Sequence, residues 1–480
     1  MPDSCKGLSL RSFTTTKGQT LYISAILRVG AMVMYISTMT LAQQAEQDSS
    51  LRDEVEHLKA VVEGLQESST EYQGIVEQLR KIKISGYMQT QFRWTDVNGT
   101  LSPFSGGNFP TNSNKVFQVR RGRIKINYDN VLTQFVLQFD AVPAGFSIKD
   151  AFLSITDPWM QSFGLQIGVF DRPFGYEISF SSNMREAPER SRMFQTLFPG
   201  ERDLGAKLFF APQLGDLTWL RADVGIFNGT GANANEFDSF KDVIGRVGAQ
   251  FPFEDIGAEI DVGVSGYFGN VRNNTKYLWE TGEVFPGVRG FVVDSALSNL
   301  GDGVARRYMG VDAQFYYDVP YIGGLALRAE YITGKQPGGS ELIAATASSG
   351  RSQTTVSPAS QPTGPLYLRK FAGWYVNLVQ NIGNAHQVMA KYDVYDPNTE
   401  VGKGELFESS NLSAADLKYS TLGFGYAYHW DGNIKFILYY EIVKNETVTP
   451  VSGTSATLSP YFKDVRDNVL TFRIQYRFPF

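Results

Sequence analysis

The segment Asp467–Phe480 reads DNVLTFRIQYRFPF. Leu470, Phe472, Ile474, Tyr476, Phe478 and Phe480 share one parity, while Thr471, Arg473, Gln475 and Arg477 share the other. Side chains of a strand alternate between its two faces. The segment therefore has one apolar, aromatic-rich face and one face that carries cations. A soluble sandwich strand would lay the apolar face on a core. A closing strand of an outer-membrane β-barrel turns it to lipid and its polar face to water.

The composition suits the second arrangement. The chain has 480 residues, 13% of them aromatic, with 47 Gly, a mean hydropathy of −0.19 and a net charge of −5. Past residue 45 no run approaches the roughly 18 apolar residues of a membrane helix, whereas alternating strands conceal their apolarity from an average. The acidic balance argues against nucleic acid as a partner. Cys5 is the only cysteine, and His57, His386 and His429 lie far apart. Nothing has metal-ligand spacing, and no cofactor is implied.

Three parts are expected. Residues 1–42 begin with Lys6, Arg11 and Lys17, continue through a mostly apolar stretch from Leu21, and end Thr40-Leu41-Ala42. This is the pattern of a secretory signal peptide. In 43–80, Leu51, Val55, Leu58, Val62, Leu65, Ser69, Tyr72, Val76 and Leu79 alternate spacings of four and three. That seam predicts a coiled-coil helix tying subunits together, as a short trimeric stalk. A loose amphipathic helix is the alternative.

From 81 to 480 the pattern is alternating, in sixteen segments running from 81–97 to 467–480. Tight turns such as Asp157-Pro158-Trp159, Gly383-Asn384 and Asp431-Gly432-Asn433 alternate with long links near 175–202, 271–307, 336–369 and 398–418. Only the 141–145 link is short where a long one is due. Even strand number, short turns on one rim and long loops on the other predict a sixteen-stranded antiparallel transmembrane barrel in a Gram-negative outer membrane. After Lys81 no helix is expected.

With the apolar parity assigned to lipid, the lumen receives Arg121, Arg123, Lys125, Arg172, Lys207 and Arg221. The long link 175–202 adds Arg185, Arg190, Arg192 and Arg202, set among Glu177, Glu186, Glu189 and Glu201. Folded inward, such a loop narrows the bore. Cations at a constriction favour anions because the low-dielectric wall focuses their field, and Arg matches phosphate oxygens bidentately. The competing reading is that these arginines pair with the neighbouring glutamates and brace the loop.

The chain resembles the phosphate-selective porins O and P. The likeness is carried by Ile84-Ser85-Gly86-Tyr87, Phe117–Lys125 (FQVRRGRIK), Ile148–Phe152 (IKDAF), Gly168–Gly175 (GVFDRPFG), Glu201–Gly205 (ERDLG) and Phe472–Phe480. It implies a trimeric channel with inward-folded loops and a basic constriction that passes phosphate or related anions. Arg121 and Arg123 fall in the family's basic second-strand motif, and Arg172 in its basic place before Pro-Phe-Gly. The chain departs from the pattern in having few lysines near the mouth; loop 271–307 holds only Lys276.

Other functions are weighed against this one. A general or sugar-permeable porin would show an aromatic slide, for which Phe170, Tyr267, Tyr316 and Tyr395 have the right parity. An outer-membrane hydrolase needs a nucleophile beside a His, but His386 and His429 both fall at the short-turn rim. A TonB-type importer needs a plug domain that 43–80 cannot supply. An adhesin could use long loops such as 336–369.

Overall fold

The computed structural model describes residues 19–98, 109, 112–143, 145–232, 235–340, 364–407, 410–450 and 456–478. Residues 1–18 of the expected signal peptide, most of the Ser/Thr-rich 344–365 stretch and Phe480 lie outside them. The chain divides into two units, 1–80 and 81–480.

The described residues of the first unit form one helix, α1 (Gln19–Arg80), continuous through Ala42. Its 4-3-4-3 stripe stands exposed, with Leu58 at 55% and Leu65 at 64% of full accessibility. Among the described residues no helix is long and apolar enough to cross a membrane.

The second unit is built from strands. In chain order they are β1 (Ile82–Thr95), β2 (Lys115–Asn130), β3 (Thr133–Val142), β4 (Gly145–Thr156), β5 (Phe163–Asp171) and β6 (Arg202–Phe210). There follow β7 (Leu220–Phe227), β8 (Asp242–Phe253), β9 (Ala258–Arg272), β10 (Leu278–Phe285), β11 (Val288–Asp294) and β12 (Gly303–Val319). The last six are β13 (Gly323–Gly338), β14 (Leu366–Ile382), β15 (His386–Asp396), β16 (Tyr419–His429), β17 (Ile434–Asn445) and β18 (Val469–Phe478). β9 pairs directly with β12, so β10 and β11 form a hairpin off the wall. Eighteen strands less those two leave sixteen, as expected. Each pairs antiparallel with its neighbours and β1 pairs with β18, from Gly86↔Phe478 to Thr95↔Val469, which closes the barrel. Closure leaves the sixteen-stranded wall without a free edge.

The closing strand behaves as its alternation predicts. Thr471, Arg473 and Gln475 are buried on the lumen side, at 1–2% accessibility, while Phe472, Ile474 and Tyr476 are exposed on the outside at 38–45%. The outer face elsewhere carries Val264, Phe424 and Leu438, with Trp159, Trp219, Trp430 and Tyr321 near the short-turn rim. That is the lipid band and aromatic girdle of a transmembrane barrel. Turn chemistry fixes the rim: Asp157 accepts backbone N–H bonds from Trp159, Met160, Ser162 and Phe163. Those donors, Met160 first, hold its carboxyl down to about 2. The link at 141–145 is a hairpin with Val142 opposite Gly145, so the wall is low there.

Three local expectations are corrected. The 271–307 link contains the β10–β11 hairpin, whose Pro286-Gly287 turn joins two short alternations. Trp279 of this hairpin stacks on Tyr367 at 5.4 Å. A short helix, α2 (Arg192–Leu197), forms in the 175–202 link. In β2 the register jumps from Gln89↔Arg121 to Thr90↔Val119. Arg120 is thus the extra residue of a β-bulge, and the face to which successive residues point changes there.

Candidate functional site: the inward loop and its arginines

The link between β5 and β6 is almost wholly buried. Phe174, Ile178, Met193, Phe194, Leu197 and Phe198 are each at 4% accessibility or less. Inside a barrel only the lumen offers such burial, and the partners agree. Phe198 packs against Phe174, Tyr267 and Tyr308, with ring centroids 5.1–5.9 Å apart. The inward aromatics Phe170, Tyr267 and Tyr395 therefore pack in the core that holds the loop, rather than forming an open slide.

The loop's entry requires glycine. Gly175 has φ +64, and an added Cβ would lie 2.3 Å from Glu330 Oε1. Glu330 on β13 accepts N–H bonds from Tyr176 and from Glu177 (2.8 Å) and the hydroxyl of Tyr375 (2.7 Å). Further along, Glu177 accepts from Ser191 Oγ at 2.6 Å and from Lys391 Nζ of β15. Arg192 reaches Glu441 of β17 at 2.9 Å, and Arg328 of β13 reaches Glu186 at 3.0 Å. Gln89 of β1 and Gln475 of β18 donate to the carbonyls of Ser182 and Asn183, at 2.9 and 2.8 Å. The loop is thereby tied to the arc of wall from β13 through β18 to β1.

Its electrostatic centre is Glu189. Arg120 Nε and Nη2 donate to its two oxygens at 2.9 Å each. Arg121 Nη2 adds a bond to Oε2 and Arg473 Nη2 one to Oε1, both at 2.9 Å. Despite burial, the surrounding guanidiniums of Arg120, Arg121 and Arg473 hold the Glu189 carboxyl well below its ordinary range. Arg185 lies in the same region at 4% accessibility, and its Nε and Nη2 have no hydrogen-bond partner among the described residues.

Seven of the ten arginines and lysines expected from sequence fall into two groups, and three lie apart from both. Arg121, Arg123 and Arg185 gather around the loop's midpoint, and Arg123 also donates to Asp140 (3.2 Å) and to Ser182 Oγ (3.2 Å). Arg190, Arg192, Arg202 and Arg172 brace. Arg190 holds Glu201 and the carbonyls of Glu177 and Ile178. Arg202 joins Asp150, Glu201 and Asp171 at 2.9–3.2 Å. Arg172 is locked on Asp203, which also takes the N–H groups of Gly229 and Gly231. Lys207 pairs with Asp223 at 2.9 Å, away from Glu189, while Lys125 and Arg221 are half-buried on the lumen parity. Sequence reasoning missed Arg120. The signal was present: outward apolar positions switch from Phe117 and Val119 to Ile124 and Ile126 across it.

Two cavities lie nearby, one inside the wall and one outside it. One of about 580 Å³ opens toward the short-turn rim, lined by Glu186, Glu254, Glu259, Tyr316, Asp318 and Arg328 among others. An apolar groove of about 610 Å³ lies outside, at the β2 bulge, between Phe92, Phe117, Phe472 and Ile474. It belongs to the lipid-facing wall, not to the lumen.

A closed sixteen-stranded wall with a lipid band and a loop folded into the lumen is the architecture of the outer-membrane porins, and its place is the outer membrane of a Gram-negative cell. No protein-family model and no curated protein matches the chain. Solved structures do resemble it. OprB of Pseudomonas putida is 9% identical, covering 84% of this chain and 96% of its own, with a TM-score of 0.50. The outer membrane channel DcaP of Acinetobacter baumannii is 11% identical over 83% of this chain and 97% of its own, at 0.48. An anion-selective porin from Comamonas acidovorans is also 11% identical, over 83% and 99%, at 0.48. At 9% identity the likeness to OprB is one of fold.

Proposed function

We propose that the chain is an outer-membrane porin, a water-filled channel for passive diffusion of small anionic solutes, phosphate among them. The observation that carries this is the surplus of cations at the inward loop: Arg120, Arg121 and Arg473 share the single carboxylate of Glu189. A fixed positive surplus beside a low-dielectric wall raises the local concentration of anions. Arg121, Arg123, Lys125 and Arg185 stay in the proposed filter and Arg120 joins it. Arg172, Arg190, Arg192 and Arg202 are better read as braces. The partners are membrane lipid and small anions, with three copies of the chain joined through the exposed stripe of α1.

The test is the reversal potential of the purified channel in a potassium chloride gradient, repeated with phosphate and a small sugar as competitors. Anion preference that falls when Arg121 and Arg123 become Ala supports the reading. Reversal potentials that do not move with those substitutions remove it.

The acidic cavity at the short-turn rim favours a second reading, a general porin without anion preference. Glu254, Glu259 and Asp318 there offset the arginines of the loop. A near-zero reversal potential with undiminished sugar flux is its signature.

A further inference from the structure

Between the second half of the inward loop and the β2 bulge lies a cavity of about 40 Å³, lined by Arg120, Arg121, Arg185 and Arg190, the carboxylates Glu189 and Glu201, and Gln195. One water needs about 10–15 Å³ on this measure, so the space suits a small ion and not a metabolite. Four guanidiniums against two carboxylates leave a lining charge of 4 − 2 = +2. Both carboxylates are already engaged: Glu189 by Arg120, Arg121 and Arg473, and Glu201 by Arg190 and Arg202.

Arg185 is the odd member. It is 96% buried (4% accessible), its Nε and Nη2 are without acceptors among the described residues, and Arg121 and Arg190 face it with like charge. Glu177 and Glu189 attract it electrostatically without bonding its Nε or Nη2, and a buried guanidinium whose N–H groups lack acceptors is unfavourable unless an anion meets them. Burial first, and then Arg190 and Arg121, pull it well below its ordinary pKa, in keeping with a site short of negative charge.

We propose that this cavity is a resident anion site, in which a small inorganic anion such as chloride or phosphate sits against Arg185 and cross-links the inward loop to the β2 wall. The ion is a structural ligand rather than a permeating solute; Arg120, Arg121 and Arg185 also belong to the proposed filter, and the test separates the two readings.

The full-length protein is unfolded in gluconate buffers of constant ionic strength, with chloride or phosphate titrated in. Gluconate is too large for the cavity. The wild-type midpoint rises with the logarithm of anion concentration, as a ligand of the folded state requires, and Arg185→Met abolishes that slope. Bromide-soaked crystals show an anomalous peak within contact distance of Arg185. Folding of the variant is checked by heat-modifiable electrophoretic mobility. Should it not fold, Gln195→Leu and the bromide peak in the wild type decide. A wild-type midpoint indifferent to both anions, an equal slope in a folded Arg185→Met, or bromide absent from the cavity overturns the proposal. Anion-dependent stability without conductance sinks the channel reading alone; conductance without anion-dependent stability sinks this site alone.

Discussion

Arg120 grips Glu189 through two parallel N–H···O bonds of 2.9 Å from a strand position that does not belong to the regular alternation. The bulge in β2 turns both Arg120 and Arg121 toward the same carboxylate. With Arg473 from the closing strand, three guanidiniums converge where the two ends of the barrel sequence meet. The carboxylate thus joins the loop to the seam of the wall.

Replacing Glu189 by Gln removes the one negative charge these arginines share. Breaking a buried ion pair from one side costs about 3–5 kcal/mol, so denaturant unfolding of the variant shifts by that order. The uncompensated positive charge also moves the reversal potential in a salt gradient toward greater anion preference. A variant as stable as the wild type refutes the central role of Glu189.

The loop carboxylates set an acid limit. Glu177, Glu189 and Glu201 are all held below the ordinary 4.5, by Lys391, by Arg120 and by Arg190 respectively, against the opposing effect of burial. A carboxyl whose folded value is depressed contributes its full stability above the unfolded value and loses it as pH falls through the folded one. The stability gap between wild type and Glu189→Gln is therefore constant from pH 7 to about 5. It closes progressively below 4.5, as unfolding titrations across that range would record.

Phe198 is the keystone of the loop's aromatic packing, at 1% accessibility among Phe174, Phe194, Tyr267 and Tyr308. Phe198→Ala should destabilise the protein by about 3–5 kcal/mol. Single-channel records of the variant should show a larger, noisier conductance as the loop loosens. An unchanged, quiet conductance would mean the loop does not narrow the path.

Val264 lies midway along β9 with its side chain on the outer face, 56% accessible. Val264→Arg places a charge near the bilayer midplane, and folding into lipid vesicles should weaken by about 2–4 kcal/mol. Equal stability of the two proteins in vesicles would contradict the membrane assignment of that face.

The alternation of Leu470, Phe472, Ile474 and Tyr476 with Thr471, Arg473 and Gln475, repeated over sixteen segments joined by alternating short turns and long links, determined from sequence that the chain makes a membrane barrel. The period-two pattern is local, and lipid on one side with water on the other repeats the same demand on every strand. Turn residues such as Asp157, Gly383 and Asp431 likewise fixed the strand count and the short rim. The tertiary structure alone decided which arginines are free. Arg172 and Arg202 are taken up by Asp203 and Asp150, residues 31 and 52 positions away in sequence. Arg473 meets Glu189 across 284 positions, and Nε and Nη2 of Arg185 meet no acceptor among the described residues. Pairing of charges depends on distance in space, and that is set by where a folded loop comes to rest inside a closed wall.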